Sequence, residues 1–113
     1  MNILSDPCRV QPRFELGRIT ATPGALEACT AVHMQRCLAR HVTGDFGHVG
    51  SQDALQNEVA ITDGGSIMSA YVIDLSKPCD TFGENRLWIV TEADRSVTRL
   101  QLPHEYLNHH RRA

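Results

Sequence analysis

Hydrophobic and polar positions change their spacing along the chain, from irregular to helical to strand-like. Residues 1–12 contain two prolines and no period, which predicts a flexible arm. Residues 13–20 alternate in their first half, with Phe14 and Leu16 on one side. This period of two predicts a half-buried strand, with Gly17 as the candidate position of a bulge.

Two helices are predicted after this strand. Thr22 is a favoured N-cap and Pro23 suits a first helical position, so a short helix should begin here. Thr30 is the predicted N-cap of a second helix over residues 31–42. Its apolar residues recur at near-helical spacing, namely Val32, Cys37, Leu38 and Val42.

A third helix is predicted before the glycines at 64 and 65. Ser51 is its expected N-cap, and Asp53 is well placed in the first turn against the helix dipole. Leu55 and Val59 form an i,i+4 apolar pair. The Asp63-Gly64-Gly65 sequence predicts the end of the helix, because glycine adopts the left-handed conformation that closes many helices.

The rest of the chain is predicted to be mainly sheet. The expected strands are residues 67–75, 87–91 and 97–102, with an exposed loop over 76–85 and a polar hairpin turn over 92–96. In the last strand, Leu100 and Leu102 should face inward and Arg99 and Gln101 outward. Pro103 should end it and begin a helical turn at 104–108.

These elements predict an α+β fold in which an N-terminal strand and two or three short helices pack on a C-terminal antiparallel three-stranded meander. Residues 13–107 are expected to form a single domain and residues 108–113 a basic tail. The apolar strands 87–90 and 97–102 leave open a homodimer formed through an exposed sheet edge.

Composition limits which cellular compartment and which classes of partner are expected. The net charge of −2 and a pI of about 6.3 argue against a nucleic-acid binder, which usually carries a basic face. No apolar run has the length of a membrane span and residues 1–7 do not have a signal-peptide pattern, so the cytoplasm is expected. The cysteines at 8, 29, 37 and 79 form no Cys-x-x-Cys pair. Cys29 and Cys37, which lie in predicted helices, are expected to be free and buried, with a secreted disulfide scaffold as the alternative.

Candidate chemistry is sparse. His41, Asp45 and His48 are ligand-type residues on a turn, but a metal site needs three or four converging ligands, so neither metal nor cofactor is predicted. Cys37 stands four residues from both His33 and His41, the spacing of a thiol and a base on one helix face. A buried structural cysteine is the favoured interpretation, because nothing nearby indicates an electropositive setting.

The predicted hairpin turn holds the densest polar cluster of the chain, formed by Glu92, Asp94, Arg95 and Ser96. Three interpretations are open: acid–base chemistry, an ordinary solvated turn, and a rigid tip that recognises a partner.

The chain also resembles a family of small proteins of unknown function found on plasmids, integrative elements and phages. They are usually called plasmid-related proteins and sometimes mislabelled as a type I restriction enzyme subunit. The matching segments are Phe14-Glu15-Leu16-Gly17, Ala21-Thr22-Pro23-Gly24-Ala25-Leu26, Ala39-Arg40-His41, Gly44-Asp45-Phe46-Gly47, Asn57, Ser69-Ala70-Tyr71, residues 87–98, Leu102-Pro103 and Glu105-Tyr106. Phe46 replaces the usual Trp and Ser66 a common Arg. The resemblance implies a mobile-element context, in which small proteins often bind and inhibit host defence proteins.

The leading hypothesis is therefore a protein-binding accessory protein, with counter-defence of the anti-CRISPR or antirestriction type as its role. The predicted partner-binding residues are Arg40, His41, Asp45, Glu92, Asp94, Arg95 and Ser96. The alternative is a small hydrolase or transferase that uses His41, Asp45 and the 92–95 cluster. A DNA-binding regulator is the third hypothesis.

Overall fold

The computed structural model describes residues 11–78 and 85–105, and within them the chain folds into three helices and a sheet. The elements in chain order are β1 (Arg18–Ala21), α1 (Pro23–Ala28), α2 (Ala31–Val42), α3 (Ser51–Asp63), β2 (Ile67–Val72), β3 (Arg86–Thr91) and β4 (Val97–Gln101). None of the described helices is long and apolar enough to span a bilayer.

The sheet has the strand order β1-β4-β3-β2. The pairs β2–β3 and β3–β4 are antiparallel, whereas β1 lies parallel to β4. The α+β class is confirmed, but the sheet is mixed and four-stranded and not a three-stranded antiparallel one. The three helices supply the long crossover that a parallel connection needs.

The first strand begins later than predicted. The alternating residues 13–16 precede β1, which starts at Arg18. Gly17 has a φ of 65°, and its Cα lies so close to the Arg95 and Ser96 carbonyls that a Cβ would overlap with them. The chain therefore bends at Gly17, where only glycine fits. Phe14 packs instead against a small cluster of Phe46, Ala60 and Ile67.

Side-chain capping begins two of the helices as expected. The hydroxyls of Thr22 and Thr30 accept hydrogen bonds from the backbone of Ala25 and His33, both at 3.1 Å. The prediction for α3 was wrong by one residue. Gly50 is its N-cap, without a side-chain bond, and Ser51 is already helical, while Gly64 ends the helix with a φ of 87°.

The main core lies between helices α1 and α2 and one face of the sheet. Its buried members are Ala25, Cys29, Cys37, Tyr71, Leu87, Ile89 and Leu100. Cys29 and Cys37 are free and buried, as predicted, whereas Cys8 and Cys79 lie outside the described residues. The α3 pair did not join a core, since Leu55 and Val59 are 64% and 57% exposed. This helix turns Asn57 and Ala60 inward instead.

The second face of the sheet is also covered, which makes one orientation prediction wrong. Gln101 is only 1% exposed although it was expected to face solvent. The side chain of Arg99 on the same face is 19% exposed. Alternation along β4 correctly separated Leu100 from its neighbours, but an alternating pattern does not reveal a second covering layer.

Contacts from outside the sheet satisfy the outer edge of β2. The Asn57 amide donates to the Met68 carbonyl at 2.8 Å and accepts from the Met68 N–H at 3.1 Å. One step along, the Ala70 N–H donates to the Phe46 carbonyl at 3.1 Å, and the His48 N–H donates to the Ala70 carbonyl at 2.7 Å. The expected dimerisation edge is absent from this region of the described sheet, because β3 and β4 are both internal and β2 is covered.

Replacing Asn57 with alanine should leave the N–H and the carbonyl of Met68 without partners at a covered edge. We expect the free energy of unfolding in urea to fall by about 2 kcal/mol. Gln52→Ala on the exposed side of the same helix is the matched control and should change stability by less than about 0.5 kcal/mol. Equal effects of the two substitutions would show that Asn57 does not hold the edge.

Candidate functional site

The residues expected to meet a partner divide into an interior group and a surface group. His41 is completely buried, and the guanidinium of Arg95 points back into the protein. Glu92 is half-buried. Arg40, Asp45, Asp94 and Ser96 lie at the surface. The structure therefore does not bring the seven residues together at one site.

His41 lies in the last turn of α2 and connects the helix to the strands. Its Nδ1 is 2.6 Å from the Ser69 hydroxyl on β2, and its Nε2 is 2.9 Å from the Thr91 hydroxyl on β3. The Thr91 hydroxyl is 2.8 Å from that of Thr98 on β4, which bonds at 2.7 Å to the carbonyl of Leu16 just before β1. One series of hydrogen bonds thus joins α2 to β2, β3 and β4 and to the segment just before β1.

The directions of three bonds in this series follow from its last acceptor. The Leu16 carbonyl can only accept, so Thr98 donates to it and accepts from Thr91. Thr91 must then accept from His41 Nε2–H. Because burial favours the neutral imidazole, Nδ1 carries no proton and accepts from the Ser69 hydroxyl.

Burial favours the neutral form of the His41 imidazole. Desolvation lowers the pKa of His41 to about 4, since the charged imidazolium would lack water and has no acidic partner in the chain of bonds. Phe14 packs its ring edge against the imidazole at a centroid distance of 5.2 Å. Because His41 and Ser69 are both 0% exposed, the pair has the contacts of a base and a nucleophile without access to substrate.

Arg95 joins the hairpin turn to the end of α3. It adopts a φ of 61°, and its Nη1 donates to the Gly65 carbonyl at 2.6 Å while Nη2 donates to the Ala60 carbonyl at 2.8 Å. Nη1 also reaches the carbonyls of Glu92 and Ala93 at 3.1 Å. A cation among the last carbonyls of a helix is favourable, so Arg95 has a structural role within the fold.

The remaining polar groups of the turn are also held by neighbours. Asp94 accepts from the Ser96 N–H at 3.0 Å and from the Ser96 hydroxyl at 2.6 Å, and these bonds lower its pKa. Glu92 forms an ion pair with Arg99. This is the geometry of a self-capped turn, and it does not present a carboxylic acid and a carboxylate to a common substrate.

The cysteine–histidine pair does not have the properties of a nucleophile and its base. Cys37 Sγ lies 3.6 Å from His33 Nε2, but this nitrogen also lies 3.1 Å from the Val72 carbonyl. Because a carbonyl only accepts, Nε2 carries a proton and is not a base for the thiol. Burial raises the pKa of Cys37 to about 11, the opposite of an activated cysteine.

The other predicted chemistry does not converge either. Among residues 11–78 and 85–105, no three His, Cys, Asp or Glu side chains are grouped so that they could hold a metal ion. Two cavities lie against α3 and against residues 73–78, and neither is lined by His41, Asp45 or the 92–96 turn.

Two bidentate ion pairs lie at the surface close to Gly44. Arg40 Nε and Nη2 donate to the Asp45 carboxylate at 2.8 and 3.2 Å, and Arg40 also stacks over the Tyr71 ring. Arg13 donates to the Glu58 carboxylate at 3.0 and 2.7 Å. All four side chains are 40–54% exposed, so these pairs contribute little to stability while holding a fixed charge pattern.

Exposed apolar side chains continue this surface onto α3. The Arg13 guanidinium lies over Gly44 and links the α2–α3 turn to Glu58, which neighbours Val59 and lies one turn from Leu55. We call this the α2–α3 surface, formed by Arg13, Arg40, Asp45, Leu55, Glu58 and Val59. Sequence reasoning included only Arg40 and Asp45. The lone signal for Leu55 and Val59 was an apolar helical pair, which is usually buried.

A comparison of the chain with protein-family models, with curated proteins and with solved structures finds no significant match.

Lowering the pH should reduce the free energy of unfolding because His41 binds a proton more readily in the unfolded chain. The pKa of His41 is about 4 in the folded protein, against about 6.5 in an unfolded chain, so the unfolded chain binds more protons between these values. Stability is therefore complete above this window and is lost as pH falls through it. We expect urea unfolding to show a loss of about 2 kcal/mol from about pH 7 to about pH 5.

His41→Gln is the comparison that isolates this group. Gln keeps a donor and an acceptor but does not titrate, so the variant should be less stable at neutral pH and lose most of the pH dependence. Carboxylates with lowered pKa values, such as Asp45, lose their contribution only at more acidic pH. An unchanged pH dependence in His41→Gln would contradict the assignment.

Proposed function

We propose that this protein is an accessory protein of a mobile genetic element that acts by binding another protein. Its specific role would be counter-defence, through inhibition of the anti-CRISPR or antirestriction type. The observation that carries the proposal is the α2–α3 surface, where ordered ion pairs border apolar side chains that the fold leaves exposed.

The composition of this surface suits a protein partner. Interfaces typically combine an apolar centre with a polar rim, and arginine is enriched in them. Leu55 and Val59 supply the apolar part, and Arg13 and Arg40 are held by carboxylates in fixed orientations. Binding would therefore immobilise few additional side chains, which reduces the entropy cost of association.

The surroundings of the candidate catalytic groups favour binding over chemistry. His41 is enclosed, the Cys37 thiol is hard to ionise, and Asp94 is bound to Ser96. The resemblance to plasmid and phage proteins adds the mobile-element context and directs the search for a partner to host defence. Within the originally expected set, Arg40 and Asp45 are the residues that we retain for this surface.

The decisive experiment compares two double variants with closely matched exposure. The protein is first used to capture partners from hosts with active restriction and CRISPR systems, and a stoichiometric partner is then purified. Leu55→Glu with Val59→Glu should weaken binding to that partner at least about tenfold, because charges replace the apolar centre. The control is Leu26→Glu with Val32→Glu on α1 and α2, whose wild-type side chains are 58% and 57% exposed.

Full binding by the α3 variant, with a native circular-dichroism spectrum, would exclude the α2–α3 surface. Loss of binding in the control variant instead would move the interface to the α1–α2 side. Failure to capture a stoichiometric partner from several such hosts would overturn the protein-binding function itself. Where a partner is a defence nuclease, inhibition of its cleavage by the wild type but not by the α3 variant is the expected result.

A further inference from the structure

A cavity of about 540 Å³ lies between α3 and the second face of the sheet. Its size is within the range of small-molecule sites. The side chains of Met68, Ala70 and Trp88 give it an apolar wall, and Gln56 and Ser66 also line it. The cavity lies on the inner side of α3, whereas Leu55 and Val59 lie on the outer side, so it is distinct from the α2–α3 surface.

Arg86 brings a buried positive charge to this cavity. The residue is 5% exposed, and its Nη1 donates to the His48 carbonyl at 2.8 Å. Within residues 11–78 and 85–105, its buried Nε has no hydrogen-bond partner. None of the carboxylates in residues 11–78 and 85–105 forms an ion pair with it. A buried cation in this condition is costly, and native structures usually supply it with a partner.

The beginning of α3 adds further donors at the same place. Gly50 is the N-cap and gives no side-chain hydrogen bond, and it lines the cavity together with Asp53. The first N–H groups of a helix have no acceptor within the helix and attract negative charge. Asp53 in the first turn favours a singly charged anion over a doubly charged one, because its own charge repels the anion.

We propose that this cavity binds a small, flat molecule that carries one carboxylate. The carboxylate accepts hydrogen bonds from the Arg86 guanidinium and lies near the α3 N-terminus, while the body of the ligand packs on Trp88 and Met68. This site goes beyond the protein-binding function and does not depend on it.

The fluorescence of Trp88, the one tryptophan of the chain, reports on this cavity directly. Benzoate is the probe, with benzyl alcohol as its uncharged analogue and phenyl phosphate as its doubly charged one. We expect a saturable change in emission with benzoate and at least about tenfold weaker binding of both analogues, because each lacks a charge-matched carboxylate. Absence of saturation with benzoate would overturn the site, and tighter binding of phenyl phosphate would overturn the carboxylate assignment.

Variants of Arg86 separate this site from weak apolar binding at any surface. Arg86→Met should abolish benzoate binding, and Arg36→Met, which removes an exposed cation outside the cavity lining, should not. Arg86→Met should also unfold at the same or a higher urea concentration than the wild type, since a buried cation without a partner ion is removed. Retained benzoate binding in Arg86→Met would contradict the proposal.

Arg86→Lys supplies a test if the methionine variant does not fold. Lysine keeps the charge but lacks Nε and the planar fork, so benzoate binding should weaken at least about tenfold. Unchanged affinity in Arg86→Lys would show that the guanidinium does not hold the carboxylate.

Discussion

The hydrogen-bond chain from Ser69 through His41, Thr91 and Thr98 to the Leu16 carbonyl is the constraint on which the rest of the structure depends. The four side chains are buried polar groups, and the desolvation of each is tolerable only while its neighbour is in place. The chain therefore fixes the end of α2 against the strands and sets where the α2–α3 turn begins. The Tyr71 hydroxyl, which donates to the Asp45 carbonyl at 2.7 Å, then holds that turn in position.

The buried hydrogen bonds of His41 also position the ion pairs at the surface. Gly44 follows the α2 C-terminus closely, so a fixed helix end also fixes the two ion pairs beside it. Helix α3 then serves two sides of the molecule: Asn57 seals the β2 edge and its neighbours line the Arg86 cavity, while Leu55 and Val59 face outward. Protein binding and small-molecule binding are thus separate proposals that rest on opposite faces of one helix.

Local sequence signals predicted much of the secondary structure, whereas contacts between residues far apart in sequence were not predicted. Thr22, Thr30 and Gly64 marked helix boundaries because capping acts within a few residues. The parallel pairing of β1, the buried state of His41 and the inward course of Arg95 all depend on partners far away in sequence, such as Thr91, 50 residues from His41. The predicted partner-binding site differs most from the structure. Arg95 was expected to be exposed because it lies in a polar turn, but its guanidinium bonds to carbonyls within the fold. Ser69, Thr91 and Thr98 carried a usable signal, since each is polar at an inward strand position.

Nitrogen-15 NMR of the His41 imidazole is the direct test of the buried hydrogen bonds between α2 and the sheet. We expect a single neutral tautomer at neutral pH, with Nε2 protonated and Nδ1 unprotonated, and a scalar coupling across the hydrogen bond from Nε2–H to the Thr91 hydroxyl. The ring should remain neutral well below the ordinary histidine pKa. Averaged tautomers, or an imidazole that titrates at its ordinary pKa, would contradict the buried hydrogen-bond chain and the fixed surface derived from it.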